Sequence, residues 1–100
     1  MADREGALSM LAHYTGNYML RARGSLNRGE LELADKQRAE LLAKLRTLGE
    51  VPEVVSCIGY LGKTTWKSRE DVNAFNEFYT KANPRAKQHK ELIKQLFGHD

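Results

Sequence analysis

Asn27 to Gly49 reads NRGELELADKQRAELLAKLRTLG, and its spacing decides the fold class. Leu31, Ala34, Leu41, Leu45 and Leu48 recur at the intervals of one helical face, with Leu42 beside them. The opposite face pairs Glu32 with Lys36 and Glu40 with Lys44, each acid four residues before its base, the favourable order on a helix. Asn27 and Glu30 have the spacing of a capping box, and Gly49 stands where a helix ends. A helix over 28–48 follows.

Upstream, Leu8, Leu11, Thr15, Tyr18 and Ala22 repeat at threes and fours, and Tyr14 and Met19 widen the stripe. This predicts a helix over 5–23, with Gly16 inside it and Gly24 as its C-terminal cap. The short link from Gly24 to Asn27 predicts that these two helices fold back as an N-terminal hairpin.

Downstream, the stretch from Val51 to Trp66 has two readings. Pro52 and Glu53 suit a first helical turn, and Val54, Ile58 and Leu61 then share a face. Val54, Val55, Cys57 and Ile58 also have strand character, with Gly59 and Gly62 as breakers, so a small β-element over 54–66 is the alternative to a short helix. Ser68 and Asp71 then open a helix whose apolar face is Val72, Phe75, Phe78, Tyr79 and Ala82. Asn83-Pro84 stops it and starts a last helix, with His89, Leu92, Ile93, Leu96 and Phe97 inward and Gly98 at its end. The expectation is an all-α domain of four or five helices over residues 1–100, without internal repeat or linker.

The bulk numbers bound the function classes. The chain has 100 residues, 41% hydrophobic and 29% charged, which suits one globular domain with a modest core. Its longest apolar runs, such as Tyr18-Met19-Leu20, fall far short of the ~20 residues of a membrane span. Met1-Ala2-Asp3-Arg4-Glu5 lacks the order of a secretory signal. Cys57 has no second cysteine to pair with, which fits a reducing compartment and predicts the cytoplasm. The net charge of +3 is mild, but it is unevenly spread. Residues 27–53 carry six acids and five bases, whereas 81–94 carry Lys81, Arg85, Lys87, Lys90 and Lys94 against Glu91 alone.

No motif for chemistry is complete. Gly59-Tyr60-Leu61-Gly62-Lys63-Thr64-Thr65 ends like a phosphate-binding loop, but the spacing requires glycine where Cys57 stands. The repeated strand–helix units around such a loop are missing too. His13, His89 and His99 are scattered and lack ligand spacing. Cys57 sits among apolar residues, which suits an inert buried thiol. Neither a metal nor a cofactor is expected, nor an enzymatic activity.

Two surfaces stand out instead. Trp66 lies between Lys63 and Lys67, with Arg69 beyond, the composition of an interface anchor ringed by cations, although Trp66 can also cap the core. Lys87, Lys90 and Lys94 share a helical face that Lys81 and Arg85 extend, a ridge for phosphates or an acidic protein surface. A helix–turn–helix reading over 53–79 fails on chemistry, because its recognition helix would begin Arg69-Glu70-Asp71. The leading expectation is a regulator, adaptor or inhibitor that binds another protein stoichiometrically, with a small phage or bacterial accessory factor as its natural setting. The alternative is nucleic-acid binding through the C-terminal ridge.

Overall fold

Helices account for most of the computed structural model, which describes residues 4–83. In order they are α1 (Arg4–Asn27), α2 (Leu31–Leu45) with a 3₁₀ turn Arg46–Leu48, α3 (Pro52–Gly62) and α4 (Arg69–Ala82). The fold is all-α, and no strand occurs among the described residues. The final helix expected after Pro84 lies outside them, and with it Arg85, Lys87, Lys90 and Lys94.

α1 runs past its expected stop. Gly24 lies inside it, and the left-handed residue is Gly29 at φ +77°. The Gly29 N–H donates to Leu26 O at 3.0 Å and the Glu30 N–H to Ser25 O at 2.8 Å, the paired bonds of a Schellman cap. Burial explains the extra turn. Ser25 is fully buried, its Oγ lying 3.1 Å from Arg21 O and 3.0 Å from the Gln37 side-chain amide on α2, within hydrogen-bond distance of both, and Leu26 packs against the core. Ending the helix at Gly24 would forfeit these contacts. The start of α2 shifts in step. Its N-cap is Glu30 rather than Asn27, without a side-chain capping bond, and Glu30 pairs with Arg28 instead.

α1 and α2 share the most extensive helix contact, with Lys44 Nζ lying 5.9 Å from the Tyr14 ring centroid. Ala34, Leu41, Leu45 and Leu48 are buried as their spacing predicts, whereas Leu31 is exposed in the first turn of α2. Gly49, at φ +89°, closes the 3₁₀ turn.

Residues 52–62 are helix, not strand. Pro52 occupies the first turn, and Val54, Cys57 and Leu61 are buried along one face. The β-branched pair Val54-Val55 favours a strand locally, but only a helix sends Val54, Cys57 and Leu61 together into the core. α4 begins with the expected box. The Ser68 Oγ accepts from the Asp71 N–H at 3.2 Å, and Asp71 Oδ2 accepts from the Ser68 N–H at 3.1 Å. Val72, Phe75 and Tyr79 are buried, and Asn83 is the C-cap. α1 touches α2, α3 and α4, so the core gathers around its buried side. No described helix is long and apolar enough to cross a membrane.

Candidate functional site: a cationic rim over a buried tryptophan

The connection between α3 and α4 is held by a polar strut from α2. Arg38 Nη1 donates to Leu61 O at 2.6 Å, satisfying a carbonyl of the last turn of α3. Arg38 Nε donates to Asp35 Oδ1 at 2.7 Å. The same oxygen accepts the Trp66 N–H at 2.9 Å. Asp35 and Arg38 sit one helical turn apart, so a single face of α2 fixes both ends of the connection. The Arg38 hydrogen bond holds the Asp35 carboxyl below its ordinary range; burial opposes this, and the Trp66 N–H and the charges of Arg38 and Lys67 assist.

This strut turns Trp66 inward. Trp66 is 0% exposed, and its ring lies 5.8 Å from that of Phe75 at a tilt of 49°. Of the two readings of Trp66, interface anchor or cap of the core, its burial is that of the core cap. Its flanking cations stay outside. Lys63, Lys67 and Arg69 are all exposed. Lys63 is the C-cap of α3, and the Lys67 N–H donates to Asp71 Oδ2 at 2.9 Å. The backbone carrying these cations is thus tied down at residues 63, 66, 67 and 68, while their side-chain charges face solvent.

Arg23 of α1 reaches α4 beside Arg69. Its Nη2 donates to Asn73 Oδ1 at 3.1 Å, and Asn73 lies one turn beyond Arg69 on α4. Arg23 is half-buried, and burial together with the neighbouring Arg69 charge holds its pKa below the ordinary value. Sequence reasoning missed Arg23, because its partner is fifty positions away and its own neighbourhood reads as a helix end. Lys81 is exposed near the other end of α4, about 18 Å along the axis from Arg69 at 1.5 Å per residue, so it stands apart from this group.

The remaining chemical candidates are occupied by structure. Gly59 to Gly62 lie in α3, so the Gly-Lys-Thr stretch is the end of a helix and not an open loop offering its N–H groups to phosphate. Cys57 is fully buried, and burial pushes its thiol up to about 12. Tyr79, also buried, is raised by burial and by Cys57. No group of three His, Cys, Asp or Glu among the described residues is placed to hold a metal. An open depression lined by Arg4, Pro52, Glu53, Ser56 and Ala82 is bridged by the Arg4–Glu53 ion pair. Comparison with family models, with curated proteins and with solved structures finds no match.

Proposed function

We propose that this chain is a non-enzymatic binding protein, a regulator, adaptor or inhibitor that acts by stoichiometric association with another protein in a reducing compartment. One observation carries the reading. The carboxylates Asp35 and Asp71 are committed to a backbone scaffold, and that scaffold presents Lys63, Lys67 and Arg69 to solvent without a carboxylate partner among the described residues. A rigid base under exposed cations lowers the ordering cost of association. The nucleophile with the greatest intrinsic reactivity, Cys57, is sealed in the core.

The contact surface is the rim of Lys63, Lys67 and Arg69 with Arg23, and the buried Trp66 serves as its foundation. The second reading, direct nucleic-acid binding, draws on the basic excess over residues 81–94. Affinity capture from an extract of the cells that make the protein, with and without nuclease, separates the two. The proposal expects a protein retained after nuclease at one-to-one stoichiometry. Loss of all retained protein on nuclease treatment would transfer the function to the second reading.

A further inference from the structure

Three described arginines, Arg4, Arg28 and Arg38, are paired with carboxylates. Arg21 lies over the Tyr18 ring, 5.4 Å from its centroid. Arg23, Arg46 and Arg69 have no carboxylate partner among the described residues, and of these Arg23 and Arg69 are neighbours. Arg23 is half-buried and pinned to Asn73 by one of its five N–H donors, which leaves donors over. Arg69 projects from the same face of α4, one turn before Asn73. Bringing two guanidiniums together, one of them partly desolvated, costs energy that an anion held between them returns.

We propose that Arg23 and Arg69, flanked by Lys67, form a receptor for a carboxylate on an acidic segment of the partner protein. The assignment rests on the protein-binding reading above and names the chemistry of the partner at that surface. Neighbouring acids select the class of anion. Glu70 is exposed beside Arg69, Asp71 lies one residue further, and Asp35 is close enough to feel the Lys67 charge. A continuous polyanion laid across the rim meets these carboxylates, whereas one or two partner side chains reach the arginine pair between them. Planar bidentate recognition of carboxylate also suits guanidinium better than ammonium.

The test is titration of the whole protein with a short oligoglutamate peptide at low salt, followed through the arginine side-chain N–H resonances. The expected result is saturable shifts at Arg23 and Arg69. Arg69→Gln should weaken binding by roughly fivefold or more, while Lys81→Gln, which removes the same charge elsewhere, should leave it within about twofold. Without peptide, Arg69→Gln should hold or raise the denaturation midpoint, because it relieves the like-charge contact; a lowered midpoint contradicts the stated cost. Equal losses in the two variants, or no shift at the two arginines, overturn the receptor. A DNA duplex that shifts the same resonances at lower concentration than the peptide overturns the carboxylate assignment. Peptide binding by a protein that captures no partner supports the receptor while removing the functional reading on which it was built.

Discussion

Arg38 and Asp35 show how much of this molecule depends on two charged side chains of α2. Both are partly buried, and between them they bind the end of α3 and the backbone of Trp66. Arg38→Ala leaves Leu61 O and Asp35 without their charged donor, and equilibrium unfolding should show a loss of about 1.5–3 kcal/mol. Asp35 also sets an acid limit. Its carboxyl is depressed in the fold below the ordinary 3.8, so its stabilisation is complete above that value and fades as pH falls through the folded pKa. Asp35→Asn should flatten the acid limb of the stability profile. Cys57 acts at the other end. Its thiol is raised from 9.0 to about 12, so the unfolded chain releases this proton first and stability falls as pH rises above about 9. Cys57→Ala should reduce that slope, and the native thiol should resist a maleimide that labels the unfolded chain readily. A fast-reacting native thiol would contradict its placement in the core.

The two glycines at the end of α1 separate what is legible locally from what is not. Gly24 looks like a cap, because the apolar stripe before it stops at Ala22. The signal that overrides it is Ser25 binding Gln37 on the next helix, a contact with no trace in the neighbouring residues. The variants should therefore have opposite signs. Gly24→Ala, in a helix interior where the added carbon meets only Arg28 Nη1 at 3.4 Å, should stabilise by about 0.5–1 kcal/mol. Gly29→Ala, at φ +77°, should destabilise by about 1–2 kcal/mol. The reverse order in thermal unfolding would restore the stop at Gly24. The opening of α4 was legible because its information is local: Ser68 and Asp71 satisfy each other's backbone donors within three residues. Ser68→Ala should cost about 1 kcal/mol.

Across the whole molecule, the core was readable wherever a helical period repeated, and the site only in part. Leu41 and Leu45 are 0% exposed, and replacing either by Ala should cost about 2–5 kcal/mol. Trp66 misleads because its sequence neighbours are lysines and threonines, while its packing partner Phe75 and its backbone acceptor Asp35 come from other segments. Its truncation should accordingly act on stability, by about 3–5 kcal/mol, before it acts on any partner. The exposed cations Lys63, Lys67 and Arg69 were visible from composition. Arg23 was not, because only the packing of α1 on α4 brings it to Asn73. We propose this rim as the surface through which the protein binds. Its most direct test is the affinity of the captured partner for a Lys63→Glu, Lys67→Glu, Arg69→Glu triple variant whose helical circular dichroism matches wild type. A loss of about 100-fold or more is expected, from lost pairing and new repulsion together; wild-type affinity in the triple variant would move the binding surface away from the rim.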